Sequence, residues 1–363
     1  MDYLEPDGAA LRNAREAAGV SLREMARRTH FSKSMLGYIE HGERVLTPEV
    51  VLAYERELGE VINRRGVLSG LAATVLAPMA TSELIYKGFS DAAYRRPDLD
   101  TWLEGVEGLG HDYMTEGAAS LQPRIAADLV TLQGQLGSPQ LWGVASRYLT
   151  TYGKTTPGAK QAAKWYGLAA TAADRSNDQD TRVWVRGRSA LALAYEGAGL
   201  TTARRLADQA LEISDKPTLG RLNALVARAH VAGFKGDAAT VRTMVNEARH
   251  VFDVAGSEEQ ISDFAVPEWR FHVFLSMLYS RLGDERRAIE EQDAAARVIP
   301  ENLPRFRTHI EMHRGLALVR SGDAAGGTDY ARRALDLLPP EKHSLTLKLL
   351  MAEIDGVGAA GRD

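Results

Sequence analysis

Between residues 8 and 59, apolar positions recur every three to four residues in short bursts, the spacing of small amphipathic helices that each bury one face. Leu11, Ala14, Arg15 and Ala18 share a face, and Gly19 stops that helix. Ser21 is placed to cap a second helix over 22–28, with Glu24 as the other half of a capping box. Leu22, Met25 and Ala26 are its inward positions. After a turn at 29–31, Ser32 caps a third helix over 33–40. Met35, Leu36 and Ile39 fall inside it, and Lys33, Ser34, Gly37 and Tyr38 outside.

From about residue 80 onward, alanine-rich amphipathic stretches alternate with Gly-Asp or proline punctuation, with little sign of strands. An internal period is visible. Gly283 is followed by Ala288, Ala295 and Pro300 at offsets of five, twelve and seventeen; Gly322 is followed by Ala334 and Pro339 at twelve and seventeen. Gly236 has Ala248 at twelve, and Ala198 has Ala203 and Ala210 at five and twelve. Small residues at fixed places let two antiparallel helices approach, glycine makes the turn between them, and proline ends the second. The register gives units near 184–217, 222–255, 269–302 and 308–341, with a degenerate one over 139–175. The same spacings are compatible with a non-repetitive helical bundle.

Composition removes several chemistries. With 363 residues and 45% hydrophobic content the chain has material for two or three domains with full cores. It has no cysteine, so disulfides, thiolate zinc sites and cysteine nucleophiles are excluded. A net charge of −4 rules out a strongly cationic nucleic-acid coat but leaves room for a local basic surface. Residues 1–60 carry eight Arg/Lys against eleven Asp/Glu, whereas 21–44 carry five against three. The affinity of one such surface for phosphate is then modest and salt-sensitive.

The polar, acidic start at 1–6 lacks the character of a secretory leader. The twin-arginine-like stretch 63–78 lies behind a folded domain and is too short to span a bilayer, so it is expected to be a linker helix or dimer contact. The expectation is a cytoplasmic protein with no membrane association. His309 and His313 stand four apart, a ligand spacing, but no further ligands accompany them, so no metal and no cofactor are expected. His111-Asp112 is taken as a helix cap. No phosphate loop, dinucleotide fingerprint or nucleophile elbow is present, and no enzyme is expected.

Two resemblances sharpen this. Leu11-Arg12-x-x-Arg15, Gly19-Val20-Ser21, Glu24-x-Ala26, Phe31-Ser32-x-Ser34-x-Leu36 and Ile39-Glu40-x-Gly42 resemble the XRE family, the phage-repressor and Cro type of helix-turn-helix. The resemblance implies that 33–40 is the recognition helix in the major groove. Ser32, Lys33, Ser34 and Tyr38 would face DNA, Ser21 and Arg44 would hold phosphate, and Arg15 with Glu40 would form a structural salt bridge. Lysine and serine stand where glutamine or asparagine often reads adenine, so no operator follows.

The repeat pattern resembles the tetratricopeptide repeat, which implies a solenoid whose first helices line a concave groove. Mapped residue by residue, that groove contains Arg188, Tyr195 and Glu196; Asn223, His230 and Phe234; Arg270, Met277 and Arg281; and His309 and Arg320. Four arginines, two histidines and an asparagine among apolar residues suit an extended peptide, with arginine forks for its carboxylate. Together the two halves resemble regulators that sense peptides.

The expected protein is all-α. A five-helix phage-repressor-like domain covers 1–60, a linker helix 61–82, an α-solenoid of tetratricopeptide-like hairpins 83–355 and a flexible tail 356–363. It would be a homodimeric transcription regulator on two half-sites of double-stranded DNA, with a peptide or small-molecule effector in the groove. The alternative is a DNA-localised scaffold whose repeats dock a partner protein.

Overall fold

The structure, a computed structural model, describes residues 8–29, 31–41, 44, 50, 53–54, 57, 97–116, 118–156 and 158–360. The expected linker helix over 61–82, the stretch 63–78 and Gly42 lie outside the described residues, as do most positions of the expected fourth and fifth N-terminal helices. The chain divides into two compact units, Met1–Tyr86 and Lys87–Asp363. Among the described residues every regular element is helical, and no helix is long and apolar enough to cross a membrane.

The first unit contains α1 (Gly8–Ala17), α2 (Leu22–Thr29) and α3 (Lys33–Glu40). Gly19 leaves α1 with φ +67°, the left-handed turn that a glycine makes without strain. Leu11, Met25, Leu36 and Ile39 form one core with Val50 and Tyr54, which are helical residues further along the chain. Half of the expected capping box forms. The Glu24 amide donates to Ser21 Oγ at 3.1 Å, while the Glu24 carboxylate turns outward to Arg27 and Arg28.

The second unit is a run of helical hairpins: α4 (Leu99–Thr115) and α5 (Ala118–Gln133), α6 (Pro139–Thr155) and α7 (Ala159–Arg175), α8 (Gln179–Tyr195) and α9 (Leu200–Ile213), α10 (Leu219–Gly233) and α11 (Ala238–Ala255), α12 (Glu268–Leu282) and α13 (Glu285–Val298), α14 (Pro304–Arg320) and α15 (Ala324–Asp336). A short 3-10 turn, Pro340–Lys342, leads to α16 (Leu345–Ala360). Gly236, Gly283 and Gly322 make the inter-helix turns at φ +69°, +68° and +110°. Ala203, Ala210, Ala248, Ala288 and Ala295 are fully buried where each second helix meets its partner.

The first helices α8, α10, α12 and α14 pack side by side. They are buried on nearly every side, with almost every residue of 181–194 enclosed, whereas the second helices bury only a stripe, such as Ala203, Leu206, Ala207 and Ala210 of α9. The backbones of α8 and α10 approach closely, so that a Cβ at Gly187 would lie 2.1 Å from the Gly220 carbonyl oxygen.

Two expectations need correcting. Residues 356–360 belong to α16 rather than to a flexible tail, because Ile354, Val357 and Gly358 pack the helix down onto α14 and α15; 361–363 are outside the described residues. His111 and Asp112 sit inside α4 and cap nothing; the Asp112 carboxylate accepts from Arg124 at 2.6 Å.

Candidate functional site

In the first unit, one ion pair holds the helices at a fixed angle. Arg15 grips Glu40 with both forks, Nε to Oε1 and Nη2 to Oε2, each at 2.7 Å. Tyr54 donates to the same Oε1 at 2.9 Å, and Arg15 Nη1 donates to the Val20 carbonyl at 2.9 Å. Each of these donors has an acceptor, Oε1 taking two of them, so this buried pair is satisfied and structural in character. The Glu40 bond further raises the Arg15 guanidinium above its ordinary range.

That pair fixes α3 with its outer face in water. Lys33 and Ser34 are exposed, and Tyr38 is 54% exposed although it is large and partly apolar. Ser32 and Ser21 both lie at helix starts. Each hydroxyl oxygen accepts a backbone N–H, from Met35 and Glu24 respectively at 3.1 Å, which leaves its own hydrogen available to a phosphate oxygen. Arg44 is exposed, with its amide tied to the Tyr38 carbonyl at 3.2 Å. Arg27 and Arg28 are drawn to Glu24, whose carboxyl they hold at about 2. Among the described residues of this unit, the exposed cations free of such pairing are Lys33 and Arg44 on and after α3, and Arg23 on α2.

In the second unit the eleven expected groove residues do not line one open channel. Arg188, Tyr195, Glu196, Arg270 and His309 line a pocket of about 80 Å³, together with Lys154, Asp263 and others. The other six stand elsewhere. Met277 is core, packed with Met312 and Leu316. Asn223 is 2% exposed, inside the α8–α10–α12 stack. His230 is fully enclosed and faces the Phe274 carbonyl at 3.1 Å through Nε2. Arg281 is taken by Glu353 of α16 at 2.9 Å and by the Tyr195 carbonyl at 2.8 Å, and it stacks on Phe234 at 4.3 Å. Arg320 is exposed at the end of α14.

Two segments close the concave side. From the C-terminal direction, Thr346 donates to Glu196 and Glu353 pairs with Arg281. From the middle, the loop between α11 and α12 crosses to α4. The Asp263 amide donates to the Gly110 carbonyl at 2.8 Å, and Gly110 has no side chain to hold the loop off, since a Cβ there would meet Ser262 Oγ at 2.5 Å. Across the remaining gap Arg305 of α14 donates to the Tyr113 and Met114 carbonyls of α4 at 2.9 and 3.3 Å.

Asp263 carries this loop into the pocket. Its Oδ1 receives Arg188 Nη2 and Arg270 Nη2, each at 2.8 Å, and Lys154 Nζ stands 2.5 Å away. Burial alone would raise the Asp263 carboxyl, but Arg188, Lys154 and Arg270 outweigh it and hold it far below the usual carboxylate range. Burial, reinforced by Arg188, pulls Lys154 well below an ordinary ammonium. Lys154 also lies over the Tyr113 ring at 3.6 Å. Sequence reasoning missed Lys154, Asp263 and Arg305. Their approach depends on contacts across the whole unit, and no local spacing signals it.

Near the pocket, three histidines share a buried network. His313 is bracketed by Tyr195 Oη at 3.1 Å and Ser276 Oγ at 2.9 Å, and His309 lies 6.1 Å from it, ring to ring. Burial pushes His230 and His309 down to about 3 and His313 well below its ordinary value.

Residues 8–59 match the family described as helix-turn-helix domain. Comparison with curated proteins and with solved structures finds no match. The first unit carries a helix-turn-helix DNA-binding domain, joined to a second, all-helical unit of successive hairpins with a small charged pocket inside.

Proposed function

We propose that the protein is an XRE-type transcription regulator that binds its operator as a homodimer, with DNA affinity set by an effector held in a tetratricopeptide-like unit. The observation that carries the reading is the outer face of α3. A lysine, a serine and a half-exposed tyrosine project from a helix held rigidly by a buried ion pair, in a domain of the helix-turn-helix family.

Few free cations lie on that face, so one domain gains little from phosphate, and two half-sites supply the affinity. The small size of the pocket supports control by a small effector, or by the end of a peptide, better than the docking of a long partner segment. In the reading proposed here the protein performs no catalysis.

A footprint with Lys33→Ala and Ser34→Ala proteins tests the DNA face. Loss of protection at an operator selected by the parent protein is expected. Unchanged protection and sequence preference would remove α3 as the reading helix. Three phosphate-facing cations per copy, Arg23, Lys33 and Arg44, give a dimer a slope of log Kobs against log salt of about −5. A slope near zero would refute phosphate contact by this face.

A further inference from the structure

We propose that the pocket between α4, α6, α8, α12 and α14 binds a compact anion, a carboxylate or phosphate head, on Arg188, Arg270 and Lys154 beside Asp263. The proposal rests on the effector-controlled reading above and names the chemistry of that effector.

Charge is the first argument. The pocket is lined by four cations, Lys154, Arg188, Arg270 and Arg305, and two carboxylates, Asp263 and Glu196. Formal positive charge is in excess by two, and by one with Lys154 neutral, the form its burial favours; the side chains of Lys154, Arg188 and Arg270 are 6%, 8% and 5% exposed and Arg305 is half-buried. Buried charges are normally paired, because desolvation of an unmatched ion is costly. An anion is the missing member.

Unused hydrogen-bonding capacity is the second argument. Three cations crowd on one oxygen of Asp263, while its other oxygen, Oδ2, has no partner. Arg188 Nε and Arg270 Nε are buried without a hydrogen-bond acceptor, and His309 Nδ1 is buried without a partner. The Arg15–Glu40 pair is what a purely structural contact looks like in this same chain, with each fork nitrogen on its own oxygen. Arg270 Nη1 is already held by the Ser262 and Ala265 carbonyls at 2.9 and 2.8 Å, so the capacity lies chiefly on Arg188, with Nη2 on Asp263 and Nε unpaired beside open space, a receptor for a planar or tetrahedral anion.

Size is the third. At ~10–15 Å³ per water position, a pocket of about 80 Å³ takes about six water-sized groups. That admits a carboxylate or phosphate with a few further atoms, and it excludes a nucleotide or a peptide beyond its terminus. Arg305 and Ser344 also border a neighbouring cavity of about 140 Å³ containing Lys342, which offers a tail a way on.

Thermal unfolding of the full chain tests the site, at constant ionic strength set with sodium chloride. The probes are acetate, succinate, inorganic phosphate, and trialanine as free acid and as C-terminal amide. A saturable rise in midpoint with at least one anionic probe is expected, lost in Arg188→Gln. A response confined to the free-acid tripeptide identifies a peptide terminus, a response to succinate or acetate a free acid, and a response to phosphate a phosphate ligand.

Should Arg188→Gln fail to fold, Asp263→Asn decides. It leaves three cations uncompensated, so the chain is less stable, and the effective anion restores it with at least tenfold higher apparent affinity than the parent. No saturable response in either the parent or Asp263→Asn, or a response undiminished in Arg188→Gln, overturns the site. Operator binding is then measured with the effective anion. Anion binding that leaves the operator unaffected defeats effector control and keeps the site. Operator binding that responds to another ligand, with no anion bound, does the reverse.

Discussion

Acid should unfold the helical unit at a milder pH than carboxylate protonation accounts for, because three imidazoles are held neutral inside it. His230 shows why. Its Nε2–H donates to the Phe274 carbonyl and its Nδ1 faces the Arg281 guanidinium at 3.4 Å, so a second proton would leave two cations in contact. His230 and His309 sit at about 3 and His313 well below its ordinary value, with burial the main cause in each. In the unfolded chain each returns to about 6.5.

The unfolded state therefore binds more protons between these limits. Stability is full above about 6.5 and is lost as pH falls. From pH 7 to pH 5 each histidine costs about 2 kcal/mol, and the three together about 6 kcal/mol. That is comparable with the whole stability of many domains. Depressed carboxyls such as Asp263 withdraw their contribution only at pH values below their unfolded range, outside this window. Glu196, raised by burial, acts in the opposite direction, as one group against three.

Urea unfolding followed by tryptophan emission measures this cleanly, since all five tryptophans (Trp102, Trp142, Trp165, Trp184 and Trp269) lie in the second unit. His313→Gln, whose amide can still meet Tyr195 and Ser276, should remove about a third of the pH dependence. Stability flat to within about 1 kcal/mol between pH 7 and pH 5 would refute the neutral-histidine assignment.

Other outcomes follow from single contacts. Arg15→Ala strands Glu40 in the first core and should destabilise that unit by about 3–5 kcal/mol; operator binding should disappear while tryptophan-monitored unfolding of the second unit is unchanged. Gly187→Ala places a methyl 2.1 Å from the Gly220 oxygen and should lower the second unit's stability by about 1–3 kcal/mol, read as a shift in urea midpoint. Glu353→Ala leaves Arg281, whose side chain is 3% exposed, without its carboxylate; a loss of about 3–5 kcal/mol is expected, and an unchanged midpoint would show that α16 does not hold the concave side shut.

The parts legible in the sequence are those set by near neighbours. Ser21 and Ser32 cap α2 and α3 because a cap acts over three residues, and the α3 inner face follows from helical spacing alone. Turn glycines 236, 283 and 322, with the alanines that follow at fixed offsets, buried after the first two and half-buried at Ala334, repeat for the same reason. The pocket was only partly legible. Arg188, Arg270 and His309 sit on first helices as the repeat register implies. The same register assumed an open face, and it could not show Glu353 arriving from 72 residues away to occupy Arg281. Asp263 lies in an irregular loop with no periodicity to place it, and it faces Arg188 across 75 residues.

Most arrays of helical hairpins are one-dimensional, with each hairpin answering only to its neighbours, so that they fray from the ends. The bond from Arg305 to the Tyr113 carbonyl, 192 residues apart in sequence, ties this array into a loop. Curvature then becomes a single variable shared by all the hairpins between α4 and α14, since none can change its pitch without opening the seam. Anything that tightens or loosens that seam acts on the whole winding at once, as a clasp does on a bracelet.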